Sequence, residues 1–441
     1  MRHVRWLSIA ALLAGSGRAI AQDAPTDPVT APAGAESGRV DGMDESPSTA
    51  RLVGRSLLFV PRTVVDVVAL PVRGGLYLFD RFQLVDRWKR IFFNDALTMG
   101  LYPTVQIDSG YGLNAGARFV HRDLFGKHEH VALRANTGGR FHERVAASAR
   151  TGDRLGERIA LEVGGELERR PKDAFYGIGN DAPGIEGRHR QQLLRATAAL
   201  DVRTIGALHA RFAGSVSDLE YGVSDEGMPI DLAYDPMTLP GWDGVRNVYN
   251  EVELKWDSRG PASRWESPAL MSSGFLGAAF AGHVHQLGAL SDYWRYGLDL
   301  QHFAWLGIGP RVLVTRLHVE SVTAGDVSFT ELPQLGGKMW LRGYDADRFR
   351  DRIAALGSLE YQWDLSRHVT AGLFVDVGRV YSDWSSLSFD ELRVGYGIDI
   401  QIQSTKSFIA EASVASSKDG GVFFNLAFDP VFTISPREGR R

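Results

Sequence analysis

The chain has 441 residues, of which 44% are hydrophobic, with a formal net charge of −4 and no cysteine. The lack of cysteine excludes disulfide bonds and lipid attachment at an N-terminal cysteine. The slightly acidic balance argues against a nucleic-acid partner. We therefore expect stability to come from packing or from a closed network of backbone hydrogen bonds.

The N-terminus has the features of an export signal. Arg2 and Arg5 precede an apolar stretch from Leu7 to Ala14, and Ala19-Ile20-Ala21 has the small-x-small form that signal peptidase cleaves. The apolar stretch is far shorter than the roughly 20 residues of a spanning helix. We predict a cleaved signal peptide over residues 1–21.

Two further N-terminal segments differ in pattern. Residues 22–50 are rich in Pro, Ala, Gly and acidic residues, which predicts a disordered periplasmic linker. In residues 51–93, Val60, Val64 and Val67 recur at helical spacing, as do Leu78 and Phe82. This pattern predicts a short amphipathic helical segment. Two roles stay open for this segment. It docks on or inside the following domain, or it shields the rim of that domain.

From Leu97 onward the hydrophobic period becomes two. Ile159, Leu161 and Val163, for example, alternate with Glu162 and Glu166. The predicted strands are long enough to cross a membrane at a tilt, which takes ~9–11 residues in lipid. Aromatic residues such as Trp256 and Trp294 stand near strand ends, as at a membrane interface. The pattern therefore predicts an all-β transmembrane barrel over residues 94–432, followed by a C-terminal tail over 433–441.

The spacing of the strands predicts the connections. We expect about sixteen antiparallel strands, an even number that places both chain ends in the periplasm. Long connections at 170–187, 222–245 and 326–351 then fall on the outer side. The connection at 258–270 is an exception, a longer one on the periplasmic side.

Two short motifs stand out within the barrel. The first lies in the longest outer connection, between strands 11 and 12, and the second lies on strand 13. Strand parity puts the carboxylate of the second motif on the polar, lumenal face, and the same holds for Glu360 on strand 12. We predict that Arg342 of the first motif pairs with Asp376 of the second, with Glu360 as a substitute partner. The motif residues are Leu341, Arg342, Gly343 and Tyr344, and then Phe374, Asp376 and Gly378. We expect Gly343 to let the loop tip turn tightly, and Gly378, beside Asp376, to leave room for that tip.

The last strand carries apolar residues on one face. They are Phe424, Leu426, Phe428 and Phe432. An amphipathic terminal strand that closes on an aromatic residue is typical of barrel precursors that assembly machinery recognises.

Together, the two motifs resemble the bacterial surface antigen superfamily of BamA/TamA-type outer-membrane barrels. The resemblance implies sixteen strands, with the loop between strands 11 and 12 folded into the lumen against an acidic partner on strand 13. It also implies a Gram-negative outer-membrane protein with a periplasmic N-terminus. Its expected partners are membrane lipid, lipopolysaccharide and, during biogenesis, the barrel assembly machinery. Family members carry periplasmic POTRA modules, whereas residues 22–91 predict only a linker and helices, so we expect none.

Enzymatic readings find little support. The chain has no G-x-S-x-G elbow, and His128 and His130 lack a third ligand at metal-binding spacing. We predict no catalytic residue, no metal and no cofactor. Two functions stay open: insertion or transport of protein or lipid for an unspecified client, or a passive or structural barrel plugged by its own loop and N-terminal helices.

Overall fold

The computed structural model describes residue 87 and residues 90–427, except 183, 205, 262–270, 308–310, 324, 367–368 and 404–407. Over these residues, no helix combines the length and the hydropathy that a membrane span requires. The predicted signal peptide, linker, most of the helical segment and the C-terminal tail lie outside the described residues and stay predictions.

The described part is a closed antiparallel barrel of sixteen strands, as the sequence predicted, with one further two-residue strand, Gly260–Pro261, that pairs with Met271 and Ser273. Each strand pairs with its neighbours in chain order. The strands are β1 (Met99–Asp108), β2 (Gly112–His121), β3 (His130–Gly138), β4 (Phe141–Arg150), β5 (Ile159–Phe175), β6 (Gly187–Arg203), β7 (Leu208–Val223), β8 (Val245–Asp257), β9 (Met271–Gln286), β10 (Tyr293–Trp305), β11 (Arg311–Val322), β12 (Ile353–Ser366), β13 (Val369–Tyr381), β14 (Arg393–Gln403), β15 (Phe408–Ser417) and β16 (Val422–Ala427).

The two faces of the barrel have opposite polarity. On β8, Val252 and Leu254 are 44% and 50% exposed, whereas Glu251 and Glu253 are only 5% and 6% exposed. A water-soluble sheet buries its apolar face instead. Apolar residues outside and charged residues inside are the arrangement that a lipid-facing barrel requires.

Long connections gather at one end of the barrel, which we call the long-loop end. They span residues 176–186, 224–244 and 323–352. The predicted bounds of the first were wrong by several residues, because β5 continues to Phe175. A short helix, α1 (Ile230–Ala233), and a 3-10 turn (Pro236–Thr238) lie within the second, and another 3-10 turn (Trp384–Ser386) follows β13.

The barrel closes where β1 meets β16, and we call this junction the seam. Among the described residues, backbone pairing joins Ile107 to Leu426 and Asp108 to Asn425. Beyond them, the Ser109 hydroxyl donates to the Phe424 carbonyl (2.8 Å) and accepts from the Phe424 amide (2.7 Å). A side chain thus continues the ladder at the long-loop end of the seam.

Candidate functional site

The connection at 323–352, which we call the lumenal loop, is packed tightly against the barrel wall. Its two short strands, Gln334–Leu335 and Phe349–Arg350, pair with each other. Leu335, Leu341 and Phe349 are at most 1% exposed and pack with Leu356 of β12. Apolar burial of this kind stabilises the folded loop and sets the position of the residues between its two short strands.

Arg342 of this loop lies between two lumenal carboxylates. Its Nε and Nη2 donate to the two oxygens of Asp376 at 2.8 Å each, and its Nη1 donates to Glu360 Oε2 at 2.8 Å. Its backbone amide also donates to Asp376 Oδ2, at 2.9 Å. The guanidinium carbon lies 3.5 Å from the centroid of the Phe374 ring. All of these groups are nearly fully buried, so the arginine is held by a bidentate pair, a second carboxylate and a ring face.

Glu360 has a different role from the one that the sequence suggested. It binds Arg342 together with Asp376 and is therefore a simultaneous partner, not a substitute. Burial by itself would lower the pKa of Arg342, but the carboxylates of Asp376 and Glu360 hold that pKa well above its ordinary value. The arginine stays charged, and it offsets two buried negative charges at once.

Backbone geometry lets the loop approach the wall. Gly343 has a φ of +95°, as its predicted role in a tight turn requires, and Leu341 has a φ of +67°. A Cβ added at Gly395 of β14 would lie 1.6 Å from the Arg342 carbonyl oxygen. Sequence reasoning missed Gly395, although its pairing with Asp376 puts it directly beside the motif.

Gly378 also differs from its predicted role. A Cβ there would lie 3.0 Å from Leu335 Cδ1, so this glycine makes room for the short loop strand. The sequence suggested instead that it would leave space for the arginine tip.

The loop has a second contact that sequence reasoning missed. The Trp340 ring lies 4.1 Å from the His318 ring, and the Arg316 guanidinium lies 4.3 Å from the Trp340 ring, in both cases measured to centroids. Asp299 binds Arg316 at 2.5 Å and so orients it. The sequence signal for this contact was Trp340, which directly precedes the loop motif.

A third contact lies on the opposite wall, where Asp347 Oδ2 accepts from Arg140 Nη2 at 2.5 Å. Within the loop itself, Arg350 Nη1 donates to the Phe329 carbonyl at 3.0 Å. Arg140 is itself held by Asp173, at 2.6 Å. The lumenal loop therefore spans the barrel interior from β13 to the β3–β4 turn.

The terminal-strand residues are described only in part. Phe424 is 45% exposed, and Leu426 is paired with Ile107 across the seam. Phe428 and Phe432 lie outside the described residues, so the predicted assembly signal stays a prediction.

Comparison with known proteins gives a family match for part of the barrel. Residues 272–415 match the model of the Omp85 superfamily domain. The matched segment runs from β9 to β15 and contains the lumenal loop and both motifs. The predicted resemblance to BamA/TamA-type barrels is confirmed at this level, and the protein is an outer-membrane β-barrel.

Solved structures agree with the Omp85 fold. BamA from Haemophilus ducreyi lacking POTRA domains 1-3 is 14% identical with a TM-score of 0.57, over 75% of this chain and 70% of that one. CdiB from Acinetobacter baumannii is 11% identical with a TM-score of 0.47, over 74% and 58% of the two chains. CdiB from Escherichia coli is 11% identical with a TM-score of 0.49, over 74% and 62%. Of these three, the BamA structure is similar enough to show a shared fold. No curated protein matches the chain by sequence.

Proposed function

We propose that this Omp85 superfamily barrel inserts or transports protein or lipid at the outer membrane by opening the seam between β1 and β16. The role is one of binding and guiding rather than of catalysis. The client stays unspecified. Outer-membrane lipid, lipopolysaccharide and the barrel assembly machinery are its proposed partners.

The observation that carries the proposal is Pro103 in the middle of β1. Backbone pairing with β2 is continuous through this residue, from Met99↔His121 to Asp108↔Gly112. Proline has no amide hydrogen, and sheets accept it where that donor would point away from the paired strand. The missing donor therefore falls on the seam side of β1. A missing backbone donor lowers the cost of opening this junction, because one hydrogen bond fewer has to break.

A disulfide lock tests the proposal in the cysteine-free chain. Asp108→Cys with Asn425→Cys joins two residues that are paired across the seam. Cells that depend on the variant should show defective outer-membrane protein or lipid composition when the pair is oxidised, and recover on reduction.

The matched control keeps one of the two positions. Ser413→Cys with Asn425→Cys joins paired residues of β15 and β16 and leaves the seam free. This control should be active in both redox states. If the oxidised seam lock is as active as the control, seam opening is wrong, and the passive or structural barrel becomes the better reading.

We propose further that the long-loop end faces outward and the N-terminus faces the periplasm. An epitope placed in 224–244, within the predicted 222–245 connection, should be reachable on intact cells, and one in 258–270 should not. The reverse labelling would contradict this orientation.

A further inference from the structure

Loop residues just after Arg342 contact the β16 side of the seam. The Tyr344 hydroxyl donates to Asp419 Oδ2 at 3.1 Å and lies 3.4 Å from the Val394 carbonyl. Asp419 belongs to the turn between β15 and β16. Gly343 packs against the same region, because a Cβ there would lie 2.2 Å from the Ser416 carbonyl oxygen. Tyr344 thus ties the loop to the edge that ends in β16.

Residues a few positions later contact the β1 side. Asp347 binds Arg140 in the β3–β4 turn at 2.5 Å. The Arg140 guanidinium lies 5.3 Å from the centroid of the Tyr111 ring, in the turn that follows β1. A Cβ added at Gly110 of that turn would lie 3.6 Å from Asp345 Oδ1. The loop therefore runs from one edge of the seam to the other within residues 344–347.

We propose that Tyr344 and Asp347 form a clasp that holds the long-loop end of the seam shut until the lumenal loop moves. The proposal rests on the proposed function, because it names what restrains the opening of that same seam. When β1 to β4 move away from β16 together, the contact at Tyr344 or the contact at Asp347 has to break. Ser109 and Phe424 lie at the same end and close the seam directly.

The Asp347 contact is suited to release. Arg140 donates to both oxygens of Asp173, at 2.6 and 3.0 Å, so it keeps a carboxylate partner when Asp347 leaves. Asp173 is in turn bound by Arg170, at 3.0 Å. Separation of a pair is costly mainly when it strands a buried charge. Departure of Asp347 leaves no unpaired arginine behind, and Asp347 itself can reach water as the loop lifts.

The test measures seam closure directly. The full-length chain, folded in its membrane, carries the Asp108→Cys and Asn425→Cys pair, and the rate of disulfide formation under a mild oxidant reports how often the edges meet. Adding Asp347→Asn or Tyr344→Phe should raise the ratio of open to closed seam roughly three- to tenfold, as loss of one hydrogen bond or ion pair predicts, and the fall in the closed fraction should slow that rate. The double change should slow it further, and Asp347→Glu should restore most of the rate.

Two controls separate a clasp from general loosening. Lys338→Ala alters the same loop away from the clasp and should leave the rate unchanged. The Ser413→Cys and Asn425→Cys pair should form its disulfide equally fast with and without Asp347→Asn.

An unchanged seam rate in Asp347→Asn and Tyr344→Phe would overturn the clasp, and so would equal slowing of the β15–β16 pair. Slowing at the seam only, combined with a fully active oxidised seam lock, would support the clasp and overturn the proposed function.

Discussion

Two walls of the barrel interior handle their buried charges in different ways. On β4–β7, which we call the arginine wall, acids are paired by arginines of the strands themselves. Arg150 binds Asp201 at 2.8 Å and Glu162 at 3.4 Å, and Arg211 binds the same two acids at 3.0 and 3.5 Å. These two arginines and two acids thus form a charge network in which the loop takes no part.

On β12–β15, which we call the acidic wall, the balance is different. Glu360, Asp376, Asp399 and Glu411 are each at most 4% exposed. Arg342, from the lumenal loop, pairs with the first two, and Asp399 accepts from the Gln401 amide at 3.2 Å. The cation that pairs with two of these four acids comes from a connection and not from a strand. Loop docking and the pairing of Asp376 and Glu360 are therefore one event, whereas the network of Arg150 and Arg211 forms without the loop.

The largest expected effect is at Arg342. Arg342→Ala leaves Asp376 and Glu360 buried without their cation, which should destabilise the docked loop by ~3–5 kcal/mol. The barrel itself should stay closed, because its strand pairing does not involve the loop. Limited proteolysis should cut residues 323–352 while the barrel still migrates as a folded species on unheated gels. Full protection of the loop would show that the acidic wall does not depend on Arg342.

An intermediate effect is expected at Gly395. In Gly395→Ala, the new Cβ would lie 1.6 Å from the Arg342 carbonyl oxygen. This clash should displace the loop at a cost of about 1–3 kcal/mol. Gly357→Ala on β12 is the control, since its Cβ would be 3.9 Å from the nearest atom. The same proteolysis assay should distinguish the two. Equal protection in both variants would mean that the close approach at Gly395 is unimportant.

The smallest effect is expected on the arginine wall. Arg211→Ala leaves Asp201 and Glu162 paired with Arg150, so the loss should be about 1 kcal/mol or less. Urea unfolding in detergent should report this difference, and the lumenal loop should remain protected. A cost as large as that of Arg342→Ala would remove the distinction between the two walls.

Much of the barrel follows from the sequence alone. Period-two alternation fixes which side chains share a face, because successive residues of a strand point to opposite sides. This rule placed Asp376 and Glu360 together in the lumen and gave sixteen strands. The pairing of Arg342 with Asp376 also followed from the sequence, since a buried arginine needs a carboxylate.

Other features depended on contacts between residues far apart in the chain. The sequence did not assign Gly395, Trp340 or Asp347, because a loop carries no periodicity that fixes which wall each residue meets. It offered Glu360 as an alternative to Asp376, because parity identifies a face but not how many acids one guanidinium reaches. The closure of β1 on β16, and the passage of residues 344–347 from one edge of the seam to the other, follow only from the curvature of the whole sheet. The sequence determined what each strand presents to lipid and lumen, and the tertiary structure decided which of those groups meet.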